Sequence, residues 1–172
     1  MNTGASICLF ILLTLASCSN RKEAGEMNIR PGKGEMAELN RYLVQKDRER
    51  IENYIERKNL KMEETSTGLW YYIRRAGEGD LFGDNDRVVF DYECTLLDGT
   101  FCYSSKESGP RDITLGRAEL EAGLNEGLRM LRPGAGALFI LPPYLAFGLP
   151  GDGKKIPPRS VIVYEVSVLP RK

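Results

Sequence analysis

The sequence predicts an α+β domain in which an antiparallel sheet wraps on one short helix, with a longer amphipathic helix preceding it. Three observations carry that expectation. Apolar residues recur at helical spacing from Glu35 to about Lys58. Beyond Gly68 the spacing changes to alternation, as in half-buried strands. Between Arg117 and Leu131 a single helical stripe returns, flanked on both sides by alternating segments.

The amino end is a targeting segment and takes no part in the fold. The run Ala5 to Ala16 is apolar but too short to cross a hydrocarbon core of about 30 Å as a helix. It fits the apolar stretch of a signal peptide over residues 1–17. Leu15-Ala16-Ser17-Cys18 resembles the bacterial lipobox, which implies cleavage before Cys18 and acylation of its thiol. An ordinary secretory signal with an incidental Cys18 is the alternative. Residues 18–34 read as the lipidated cysteine and a polar tether, its sixteen residues after Cys18 rich in Gly and charge. A flexible chain of that length has a root-mean-square span of about 20 to 24 Å.

The segment 35–62 follows as an amphipathic helix, with Met36, Leu39, Leu43, Ile51, Tyr54 and Ile55 on one side. It either packs on its own domain or serves a homodimer or other partner; neither reading places an active site there. Leu69 to Ile73 predicts a strand, closed by Gly77 and Gly79. Val88, Phe90, Tyr92 and Cys94 form the apolar row of the next strand, and Asp98-Gly99 marks a hairpin. A short strand at Ile113 to Leu115 leads to the helix Arg117 to Leu131, where Leu120, Leu124, Leu128 and Leu131 share a face and Pro133-Gly134 stops it. Ala137 to Leu141, a loop rich in Pro and Gly from Pro142 to Pro158, and a final strand Ser160 to Leu169 complete the domain.

The chain of 172 residues has 24 Lys and Arg, 24 Asp and Glu, and no His. Zero formal net charge gives no global field for nucleic acid, which is not an expected partner. Without imidazole there is no Ser-His or Cys-His nucleophile couple and no His-ligated metal. No metal and no cofactor is expected. After signal cleavage and lipidation, only Cys94 and Cys102 remain as thiols. A plain two-residue turn puts them on opposite faces of the hairpin, whereas a bulge reverses that parity, so their pairing stays open.

Several segments together carry a resemblance over residues 68–172. Asp98-Gly99-Thr100 precedes Ser104-Ser105; Leu115-Gly116, Gly123 to Gly127 and Leu131-Arg132-Pro133-Gly134 follow. Pro143-Tyr144-Leu145-Ala146-Phe147-Gly148 and Ile156-Pro157-Pro158 come before Val161 to Val166. In this order and spacing the domain resembles an FKBP-type peptidyl-prolyl cis-trans isomerase. With the lipobox, tether and preceding helix, the whole chain is similar to FKBP-type lipoproteins of Bacteroidetes, including those associated with gliding motility. The resemblance implies an FKBP-like half-barrel sheet around a short helix, with an apolar pocket between them.

It also implies the site. Tyr92, Phe147 and Tyr164 fall on aromatic pocket positions, where Phe147 keeps a ring but lacks the family's hydroxyl. Leu120 falls on an aliphatic wall position, Leu124 on the pocket floor, and Ile156 on the segment that closes the last loop. Cys102 and Tyr103 replace a Phe-Asp pair, and Glu121 replaces an aliphatic residue whose backbone N–H meets ligand. Arg111 stands where a further aromatic is expected. The same aromatics read equally as ordinary core residues.

The implied activity suits a chain without histidine. Rotation about an X-Pro bond is opposed by amide conjugation, a barrier of about 18 to 20 kcal/mol, and needs neither proton nor nucleophile. The expectation is an isomerase of proline-containing chains, assisting exported proteins from a lipid anchor on a periplasm-facing outer membrane. The alternative is a weakly active or inactive peptide-holding module or envelope scaffold. If Tyr103 or Arg111 folds over the bowl and fills it, the holding role gains and the isomerase role loses.

Overall fold

The structure is a computed structural model and describes residues 32–171; the predicted signal peptide, Cys18 and the tether up to residue 31 lie outside the described residues. The first element is helix α1, Lys33–Arg57, so the last two residues assigned to the tether are already helical. Glu35 turns back to accept from the Gly32 N–H at 3.0 Å, which satisfies one of the donors a helix start leaves unpaired. Lys46 with Glu49 and Arg48 with Glu52 pair along its solvent side.

The expected apolar stripe is used only in part. Ile51 is buried, with Tyr54 and Ile55 partly so, against Leu138, Ile140, Val161 and Val163 of the sheet. Met36 and Leu39, expected on the packed face, are exposed, as are Tyr42 and Val44. The first half of the helix therefore extends past the domain edge. Asp47, 5% exposed at its side chain, pairs with Arg159 at 2.5 Å and fixes the point where contact begins.

All strands pair antiparallel: β1 Glu63–Glu64, β2 Trp70–Arg75, β3 Arg87–Leu96, β4 Phe101–Ser104, β5 Arg111–Thr114, β6 Gly136–Leu141 and β7 Ile162–Val168. Their order is β1-β2-β6-β7-β3-β4, with β5 also beside β3. This is the predicted α+β architecture. Helix α2, Ser105–Ser108, is one turn capped by Ser104, and α3, Ala122–Arg129, lies on the inner face.

Helix α3 is shorter than the predicted 117–131. Gly116 takes φ +78° and Glu121 is still extended at φ −56° and ψ 135°, so Arg117 to Glu121 is a turn leading into the helix. Leu120 continues the leucine spacing by coincidence and precedes the helix, half-buried. Leu124 and Leu128 are fully buried, as expected. Gly127 lets α3 close on the sheet: a Cβ there would sit 2.8 Å from the Phe139 ring.

The strand cores match the predicted ones, with ends shifted. Leu69 stands just outside β2, and β5 stops before Leu115. In the β3–β4 hairpin Cys94 faces Tyr103 but Thr95 faces Phe101, so a bulge falls at Cys102. The parity reversal follows: both thiols are fully buried, and both are free. Among the described residues no helix is long and apolar enough to cross a membrane.

Candidate functional site

The site lies on the inner face, where β3 and β7 run side by side. Cys94 faces Tyr164 and Tyr92 faces Val166 across that pair. Alternation along each strand sends Phe90, Tyr92 and Cys94 inward from β3, and Ile162, Tyr164 and Val166 inward from β7. The rings of Tyr92 and Tyr164 lie 6.0 Å apart at 56°, and those of Phe90 and Tyr92 lie 6.2 Å apart at 58°. Tilted contacts of this kind place ring edges against ring faces.

Leu124 comes in from α3, buried, and Leu120 from the turn before it. Phe147 follows the short 3-10 turn Pro143–Leu145, which the Gly148 N–H closes by donating to the Pro143 carbonyl at 2.8 Å. Ile156, buried, belongs to the same cluster. Its loop is braced by Asp152, whose Oδ1 accepts from the backbone N–H of Lys154 and of Ile156, each at 2.8 Å. Asp152 Oδ2 accepts from the Tyr103 hydroxyl, which ties β4 to this loop. Accepting those hydrogen bonds outweighs burial and holds the Asp152 carboxyl below its ordinary range. The hydrogen bond to Asp152 in turn raises Tyr103. Cys102, also buried, lies between the hairpin and the Lys155 carbonyl.

The pocket residues singled out from the sequence thus gather in one cluster or hydrogen-bond to it, and Arg111 reaches it by charge and ring contacts, while Cys18 lies outside the described residues. The bowl, however, is not empty. Glu121 folds its carboxylate inward, 9% exposed, and its Oε1 accepts from the Tyr164 hydroxyl at 2.8 Å. Arg111, on β5, places Nη1 3.7 Å from Glu121 Oε2 and its guanidinium carbon 5.9 Å from the Tyr92 ring centre and 6.0 Å from that of Phe90. The expected apolar recess is therefore closed by an acid and a base of its own chain. Arg111, not Tyr103, is the residue that folds over it.

Burial, with the Glu121 carboxylate second, pushes the Tyr164 hydroxyl far above its ordinary value. Burial, with Cys102 second, pushes the Cys94 thiol up to about 12. Neither supplies an anion near neutral pH, so beside the Glu121–Arg111 pair the cluster offers aromatic and aliphatic surface and fixed dipoles. Among the described residues no group of three or more His, Cys, Asp or Glu could hold a metal ion.

Sequence reasoning missed two contributors. Asp152 has a local signal, an acid between two glycines whose side chain can cap the turn that follows. The carboxylate of Glu121 has none, since its partner lies 43 residues onward.

Comparison with known proteins bears on the family and the fold. The chain is 36% identical over 105 residues to a probable FKBP-type peptidyl-prolyl cis-trans isomerase FkpA of Neisseria meningitidis serogroup B, a match spanning 61% of this chain and 38% of that protein. It is 34% identical over 124 residues to FkpA of Escherichia coli K12, spanning 72% of this chain and 44% of that protein. The crystal structure of FkpA from Escherichia coli superposes with a TM-score of 0.63 at 28% identity, over 81% of this chain and 73% of that one. The chain spans less than half the length of these curated relatives. Residues 80–169 match the profile of the FKBP-type peptidyl-prolyl cis-trans isomerases, a stretch that holds every pocket residue named above, and the chain belongs to that family.

Proposed function

We propose that the protein catalyses cis-trans isomerisation of X-Pro bonds in exported polypeptides. The observation that carries this reading is the floor of Tyr92, Tyr164, Phe147 and Leu124, gathered in one apolar cluster without a titrating nucleophile. The planar amide is stabilised by conjugation and by water on its carbonyl. A dry aromatic surface withdraws that water and favours the twisted amide, in which conjugation is lost, so binding is tighter at the transition state than at the ground state. Each 1.36 kcal/mol of such preference is about tenfold in rate.

Closure of the bowl by Glu121 and Arg111 favours a second reading, a weakly active module that holds proline-containing chains. Turnover decides between them. Cis-to-trans conversion of a proline tetrapeptide should accelerate measurably at micromolar protein, and Tyr92→Ala should slow it without unfolding the domain. No rate above background leaves the holding role alone, while an unchanged rate in folded Tyr92→Ala removes Tyr92 from the site.

Location belongs to the same proposal: a lipoprotein of the Bacteroidetes type, anchored through acylated Cys18 and facing the periplasm from the outer membrane, where unfolded exported chains pass. Detergent partition that is lost on Cys18→Ala tests the anchor. The projecting half of α1, with Met36, Leu39, Tyr42 and Val44 exposed, is the surface through which a homodimer would form.

A further inference from the structure

We propose that Glu121 and Arg111 give the proline recess a charge preference, so that it favours segments carrying Lys or Arg next to the proline and disfavours Asp or Glu there. The inference rests on the recess being the isomerase site. Glu121 stands just before α3, where the helix start favours negative charge and a shorter side chain such as Asp would turn back to the free N–H groups of the first turn. It makes no such cap; its side chain enters the recess instead.

One of its oxygens is used and the other is not. Oε1 accepts from Tyr164, whereas Oε2 is buried without any hydrogen bond. Arg111 stands 3.7 Å from Oε2, close enough to pair by charge but not to donate a hydrogen bond. Among the described residues the Arg111 side chain makes no hydrogen bond, and it is 28% exposed against 9% for Glu121. The two charges are therefore unequal to a visitor. The acid is deep, little screened and short of a donor. The base is shallower, held over the rings of Tyr92 and Phe90 and partly open to water.

A ligand ammonium or guanidinium supplies the donor that Oε2 lacks while Arg111 moves outward, and the site's charges stay balanced. A ligand carboxylate draws Arg111 away from Glu121, which leaves the buried acid with less compensation and brings a second negative charge toward it. A neutral aliphatic residue does neither and falls between.

The test uses the full chain in non-ionic detergent and three tetrapeptides with Lys, Leu or Glu before the proline. Exchange rates by NMR, free of any coupled protease, give turnover, and fluorescence anisotropy gives affinity. The Lys peptide should exceed Leu by about threefold to tenfold at low salt, with Glu lowest, and the spread should shrink as salt rises. Glu121→Gln should bring the Lys to Leu ratio near one. Arg111→Gln should widen it, which a purely structural role for the pair would not do. Equal affinity and rate for all three peptides overturns the preference while leaving the isomerase reading intact, as does a Lys advantage unchanged in Glu121→Gln. Tighter binding of the Lys peptide without turnover of any peptide removes the isomerase reading and keeps the preference. Absence of both binding and turnover removes both.

Discussion

Removing the Tyr164 hydroxyl isolates the hydrogen bond that reaches the buried Glu121 carboxylate. Tyr164 is 2% exposed and Glu121 9% at its side chain, so water cannot replace the 2.8 Å hydrogen bond between them. A hydrogen bond to a charged acceptor contributes about 1.5 to 3 kcal/mol, and Tyr164→Phe leaves both Glu121 oxygens without a hydrogen bond, so the upper half of that range applies. With a urea slope of about 2 kcal/mol per molar, the midpoint should fall by about 1 M. Glu121→Leu alone strands the Tyr164 hydroxyl but adds apolar contact, and should cost about 1 kcal/mol. The pair Tyr164→Phe with Glu121→Leu swaps both partners for apolar groups and should lie within about 1 kcal/mol of the parent. Equilibrium urea unfolding of the four proteins closes the cycle. A loss below about 0.5 kcal/mol in Tyr164→Phe, or single costs that merely add in the double variant, would refute the coupling described for this pair.

Gly127→Ala should destabilise by about 1 to 3 kcal/mol, because its Cβ would stand 2.8 Å from the buried Phe139 ring and α3 would have to lift; thermal unfolding reads this directly. Arg159→Met leaves Asp47, 5% exposed, with Arg50 at 3.6 Å as its remaining cation, and should cost about 2 to 3 kcal/mol and release α1, seen as faster hydrogen exchange in residues 45–57. Burial raises both Cys94 and Tyr164, so the native state binds protons that the unfolded state gives up in alkali. Their contribution is complete below about pH 8.5 and is lost as pH climbs through the thiol and phenol ranges; unfolding free energy should be level from pH 6 to 8 and drop from about pH 9 upward. A thiol reagent at pH 8 should react with Cys94 and Cys102 only as fast as the domain opens, and immediate reaction would contradict their full burial.

The legible parts were those set by local periodicity. The alternation Val88, Phe90, Tyr92, Cys94 and the row Ile162, Tyr164, Val166, Val168 gave the inward faces of β3 and β7, hence the aromatic floor. What stayed hidden depends on partners distant in sequence. Leu120 keeps the leucine spacing of α3, so no local pattern reveals that the chain is still extended at Glu121. The stripe of α1 likewise reads continuously from Met36 to Ile55, yet the sheet reaches only its second half. A bulge at Cys102 shifts register without any glycine or proline to mark it. Closure of the bowl brings together Arg111, Glu121 and Tyr164 from three elements, a meeting that tertiary packing alone determines.

Strand β7 lies between β6 and β3 although it follows both in the chain, and it faces two cores at once: Ile162, Tyr164 and Val166 inward, Val163, with Val161 just before the strand, toward α1. While residues 162–168 are still being made, β6 and β3 each present a bare edge with open N–H and C=O groups. Neither half of the sheet can mature alone, and the pairings that close it are long-range and slow to form. Until its last strand is in place the nascent polypeptide is thus a half-built sheet whose two facing edges stay open to any other extended chain.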